Sequence, residues 1–141
     1  MNSRDILYPL LGQVTLTLIV WLFLLKTRVG NIRRMRVNPQ ILANEEKART
    51  VLRDDIHLSD NFENLFELPV LFYVAVLLIY LLQKTDVPYL VAAWGFVGFR
   101  AIHSWIHCTY NRIMHRFYMY LISSFILWGI WIRLSLSFWA P

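Results

Sequence analysis

The stretch ILYPLLGQVTLTLIVWLFLL, residues 6–25, decides the fold. It holds 20 residues without a charge, and about 20 apolar residues are what a helix needs to cross the hydrocarbon of a bilayer. A cleaved secretory signal is the usual competitor for a first apolar block. This block is long for that purpose, its leading charges Arg4 and Asp5 cancel, and no small-residue cleavage site follows. Three further blocks repeat the pattern downstream. Residues 68–82 hold 15 uncharged positions, 87–99 hold 13 and 117–132 hold 16. Arg116 and Arg133 flank the last block, and such long side chains can reach a membrane interface. The second and third blocks are long enough only if Glu63, Glu67, Arg100 and His103 are taken into them.

Composition agrees with this reading. The 141 residues leave room for one domain, 1–141, and 57% of them are hydrophobic against 16% charged. A small soluble domain has too little interior to hide so much apolar surface. The expectation is therefore an all-α membrane protein, multi-pass, built as a bundle of four transmembrane helices. Their predicted extents are about 6–26, 61–83, 87–109 and 115–137, with an amphipathic connection at 27–60. Lone Cys108 excludes an internal disulfide.

The net charge of +5 reads as membrane orientation, not as nucleic-acid affinity. Ten of the fourteen basic residues fall in the first and third connections, among them Arg33, Arg34, Arg36, Arg112 and Arg116. Those connections share a side, and basic loops stay cytoplasmic. The stretches 26–60 and 108–116 are thus expected in the cytoplasm, and the compact loops point to a bacterial inner membrane. Within the long connection, Asn38-Pro39 reads as a helix start, followed by Ala48, Val51 and Leu52 on one face. On the third helix, Ala92, Gly95, Gly98 and Ala101 form a stripe of small residues that lets a neighbouring helix approach.

The polar residues inside the blocks carry the chemistry. At ~1.5 Å per residue, Glu67 lies roughly 9 Å into the second helix, with Pro69 bending that helix just beyond. Helix three runs the other way, so Arg100 and His103 lie within the same membrane face, and helix four enters it at Arg116 and Tyr120. Asn64, Glu67, Arg100, His103, His107, Arg116 and Tyr120 therefore share one slab. Ionisable groups at that depth should face protein or water and pair with one another. Glu67 and Arg100 form the natural ion pair, a device that fixes helix register. The remaining donors would suit a carboxylate or thiolate ligand. A metal is not expected: His103 and His107 have ligand spacing, but Arg100 and Arg116 would repel a cation.

These residues resemble the MAPEG superfamily, membrane-associated proteins in eicosanoid and glutathione metabolism. Asn64-Leu-Phe-Glu67 followed by Pro69 is similar to the family's Asn-x-x-Glu. Arg100-Ala-Ile-His103 resembles the Arg-x-x-His of its prostaglandin E synthase branch, with Arg116 thirteen residues after the His and Tyr120 four further on. Arg33-Arg34-Met-Arg36-Val-Asn-Pro39 is similar to the family's basic end of helix one. The resemblance implies a homotrimer binding glutathione between subunits near the cytosolic face. It also implies a lipophilic small molecule or lipid as second substrate. In that scheme Arg116 activates the thiolate together with Tyr120. Asn64, Glu67, His103, His107, Arg33 and Arg34 would hold the peptide, and Arg100 would brace Glu67.

Departures from the pattern mark the alternative. Asp60 and Glu63 stand where glutathione-binding members carry Arg, His107 replaces a Tyr, and Phe117 replaces a Ser. Anions disfavour a ligand with two carboxylates. The competing expectation is a non-catalytic lipid-binding or scaffolding trimer of the same fold.

Overall fold

The computed structural model describes residues 2–35 and 56–139, which form helices and no strand. A 3₁₀ turn, Ser3–Ile6, opens the chain. It is closed reciprocally: Asn2 Oδ1 accepts from the Arg4 N–H at 3.1 Å, and Asp5 Oδ2 accepts from the Asn2 N–H at 2.9 Å. Five helical segments follow: α1 Leu7–Met35, α2 Ile56–Asn64, α3 Leu68–Leu81, α4 Val87–Cys108 and α5 Ile113–Trp139. Three stretches, Ser3–Arg34, Leu58–Leu81 and Ile113–Trp139, are long and apolar enough to cross a membrane. α4 has 22 residues, about 33 Å of helix, and carries the buried ionisable groups. The chain is an all-helical membrane protein.

Two boundaries differ from the sequence reading, each for a physical reason. α1 runs to Met35, well past the expected end near 26. Nothing in residues 27–35 forbids a helix, and Arg33 and Arg34 in its last turn complement the negative end of the helix dipole. The start of the expected amphipathic connection is therefore helix α1, and its part at 36–55 lies outside the described residues. The second span is broken and not merely bent. Pro69 is the second residue of α3; it has no N–H for the Leu65 carbonyl, and its ring excludes a continuous turn. The chain turns at 65–67, with Leu65 N–H on the Phe62 carbonyl and Phe66 N–H on the Glu63 carbonyl. Glu67 thus sits at the exposed joint, outside either helix.

The other turns are set by caps. Asp86 receives the Tyr89 N–H at 3.0 Å and Pro88 follows at the second helical position, which starts α4. Gln83 (φ 56°) and Asn111 (φ 46°) end α3 and α4 in the left-handed region, where Asn is among the better-tolerated side chains.

α4 and α5 make the most extensive pairing, with α1 against α2, α3 and α4. The buried face of α4 is one helical stripe that changes chemistry along its length. Tyr89, Ala93, Phe96 and Val97 are apolar core; Arg100, His103, Ser104 and His107 continue the same stripe. The apolar half closes on Ile6, Phe72, Val76, Ile79, Leu127 and Leu134, with Phe72 stacked on Phe96 at 4.5 Å. Outward residues such as Trp94, Trp105, Phe125 and Trp128 are exposed, as lipid-facing side chains are. The small-residue stripe does not serve as expected throughout. A Cβ at Gly98 would meet nothing within 4 Å, so none of the described helices approaches there.

Candidate functional site

The polar half of the bundle gathers residues from three elements. Asn111 has two tasks in that assembly. Its left-handed backbone reverses the chain, with its N–H on the Ile106 carbonyl at 2.9 Å. That reversal faces the first turn of α5 back towards the last turn of α4. Its side-chain Oδ1 then accepts from Arg116 Nη1 at 3.0 Å. The same Nη1 donates to His107 Nε2 at 2.8 Å. Guanidinium has no acceptor, so that His107 nitrogen carries no proton. His103 is tied to the same residue through the backbone: its Nδ1 lies 2.9 Å from the Arg116 carbonyl. A carbonyl only accepts, so Nδ1 is the protonated nitrogen, and Nε2 of the neutral ring is a lone-pair acceptor. That Nε2 is buried and makes no hydrogen bond.

Arg116 is half-buried, and both of its side-chain partners are neutral. Nη2 and Nε make no hydrogen bond to a described residue. The ion pair within the described residues is Arg133 with Asp86, at the other end of the bundle. A cation aimed by two neutral acceptors and opposed by no described carboxylate is prepared for an anion. In a poorly hydrated site that attraction far exceeds its strength in water.

Arg100 is fully buried and behaves otherwise. Its Nη2 donates to the Asn64 backbone carbonyl at 2.5 Å, while Nε and Nη1 find no partner. Arg100 forms no ion pair with Glu67, which is exposed; it donates to the Asn64 carbonyl. The cause is the break at Pro69. Asn64 ends α2, so its carbonyl loses its helical partner, and membrane interiors require such a group to be satisfied by a neighbour. The guanidinium also lies 5.7 Å from the Tyr120 ring centroid. Tyr120 in turn lies 6.0 Å from the His103 ring, and His103 lies 5.7 Å from His107.

The structure thus brings together His103, His107, Arg116, Tyr120 and Arg100, with Asn64 joined through its backbone. Glu67 stands at the exposed edge. Arg33 and Arg34 are exposed on the last turn of α1 and make no hydrogen bond to the cluster; the basic contact from α1 is Arg28 Nη2 to Ser59 Oγ, 3.1 Å. Asp60 and Glu63 are exposed on α2. Among the described residues, no group of three or more His, Cys, Asp or Glu side chains is placed to hold a metal ion.

Three buried or half-buried polar residues were not singled out from the sequence. Asn111 orients Arg116. Asn61, fully buried, donates through Nδ2 to Cys108 Sγ at 3.4 Å and ties α2 to α4. Gln13, in the longest apolar run, is fully buried with neither amide atom hydrogen-bonded. The signal for Gln13 was present: an amide alone in a membrane span is costly unless it faces protein.

A family model described as the MAPEG family matches residues 10–136, which include every element of this cluster. No curated protein and no solved structure matches the chain.

Proposed function

The chain belongs to the MAPEG family, membrane proteins of eicosanoid and glutathione metabolism, and from that premise we propose a glutathione-dependent transferase or peroxidase acting on hydrophobic electrophiles. The supporting observation is the state of Arg116. Its guanidinium is fixed by His107 and Asn111, half-exposed, and not neutralised by a described carboxylate. Glutathione, when bound, supplies a thiolate nucleophile. The task of Arg116 is to favour thiolate over thiol, and the thiolate is the reactive form. His103 Nε2, a buried acceptor, accepts a hydrogen bond from a thiol or an amide N–H, and Tyr120 closes the wall beside it. Asn64, Glu67 and His107 complete the proposed contacts, with Arg33 or Arg34 reaching the ligand from a second copy in a homotrimer. The basic residues of the connections 26–60 and 108–116 support a cytoplasmic position for this site.

A second reading has its own observation. Asp60 and Glu63 are exposed on the outer side of α2, where they would repel a dicarboxylate ligand, and that favours a non-catalytic lipid-binding or scaffolding trimer. Calorimetry with the purified protein separates the two. The transferase reading expects binding of glutathione at or below millimolar concentration, lost in Arg116→Ala, and turnover of a general electrophile. No binding at millimolar glutathione overturns it in favour of the scaffold.

A further inference from the structure

At the end of the bundle remote from Arg116, α4 and α5 separate around an apolar groove of about 600 Å³. Ala92 and Gly95 on α4 and Gly129 on α5 keep it open, and a Cβ built at Gly129 would meet nothing within 4 Å. Its size is that of a site for a small amphiphile. A polar cavity of about 360 Å³ adjoins it, with Lys84, Thr85 and Ser137 in its wall. Tyr89 and Arg133 line both.

Two observations point to a ligand across that boundary. Tyr89 is only 4% exposed, its ring lies 4.1 Å under the Arg133 guanidinium, and its hydroxyl is buried with no hydrogen-bond partner. A buried phenol usually finds an acceptor or donor. The charges are also uneven. Asp86 is taken by both terminal nitrogens of Arg133. Lys84 Nζ donates to the Ser137 carbonyl and hydroxyl, each at 2.8 Å, and forms no ion pair with a described carboxylate. An apolar slot beside an ammonium that no described carboxylate opposes matches an anionic amphiphile. A second helix pressed into the slot would leave that ammonium without an anion.

We infer that this composite site seats an anionic phospholipid. One acyl chain lies along the α4–α5 groove, the phosphate sits beside Lys84, and the Tyr89 hydroxyl bonds the polar linkage between them. The site is at the opposite membrane face from Arg116, and it does not depend on the thiol chemistry proposed there.

Native mass spectrometry tests this with the full chain, stripped of lipid in mild detergent and titrated with phosphatidylglycerol or phosphatidylcholine. The expected result is one tightly held phosphatidylglycerol per subunit, bound better than phosphatidylcholine. Lys84→Gln should weaken it about fivefold, the effect of one basic residue at a lipid headgroup. Gly129→Leu, which fills the open side of the groove, should abolish it at unchanged helicity. Equal retention of the two lipids, or no change in Lys84→Gln, overturns the inference. So does a Gly129→Leu variant that keeps its lipid, or one whose subunit number falls, which would make the groove an interface between copies.

Discussion

Arg100 offers the sharpest test of the packing. In Arg100→Met the bulk of the side chain is largely kept while the charged donor disappears. The Asn64 carbonyl then loses a charge-assisted hydrogen bond, worth about 1.5–3 kcal/mol, and the contact with Tyr120 adds about 0.5–2 kcal/mol. Against that, the native guanidinium is fully buried with Nε and Nη1 unpartnered. Replacing a buried ion by an apolar group recovers about 1–4 kcal/mol of desolvation. The two sides nearly cancel, so Arg100→Met should change global stability by less than about 2 kcal/mol. Arg100→Ala lacks the compensating volume, and truncation of a large buried side chain adds about 2–5 kcal/mol for the cavity. Denaturant unfolding in detergent should therefore rank Ala well below Met. Hydrogen exchange should show the amides at 65–68 opening in both variants, because the break between α2 and α3 has lost its tie. Glu67→Gln is the control: an exposed residue away from such features should cost within about 0.5 kcal/mol. Equal destabilisation by Met and Ala, or a Glu67→Gln cost above about 1 kcal/mol, refutes the assignment and restores the ion pair.

Other outcomes follow from the same geometry. Arg133 foremost, then the Tyr89 N–H, holds the Asp86 carboxyl below its ordinary value against the opposing effect of burial. A carboxylate with a depressed native pKa stabilises the fold above its unfolded value of about 3.9 and loses that contribution as pH falls through the native value. Unfolding midpoints should thus decline from about pH 5 downward, and less steeply in Arg133→Gln. Asn111→Gly should lose only the hydrogen bond from Arg116, about 1 kcal/mol, whereas Asn111→Ala should cost about 1–2 kcal/mol more for its left-handed backbone. His107→Phe keeps an aromatic ring but removes the Nε2 acceptor. Its KM for glutathione should rise about fivefold, the effect of one ~1 kcal/mol hydrogen bond, in steady-state assays.

The spans were legible because so short a chain has no interior in which to bury uncharged runs of 13–20 residues, and a bilayer takes them readily. The polar slab was legible too, since antiparallel helices of known rise put Arg100, His103, Arg116 and Tyr120 at one depth. What could not be read was which atom each cation would take. That choice depends on whether Pro69 bends or breaks its helix. A break exposes the Asn64 carbonyl and moves Glu67 to the surface, and both consequences are tertiary. Asn111 was hidden for a similar reason: its role arises only when the left-handed turn folds α5 back on α4. The extension of α1 to Met35 was missed because charge was read as loop, although basic residues suit a helix C-terminus.

On the proposed reading Arg116, a cation opposed by no described carboxylate, holds a thiolate, and thiolate absorbance in the ultraviolet reads that directly. Glutathione titrated into the protein at neutral pH should show ionised sulfur in the native chain and un-ionised sulfur in Arg116→Gln. Glutathione that binds with its sulfur equally ionised in both proteins, or that does not bind at all, contradicts the account.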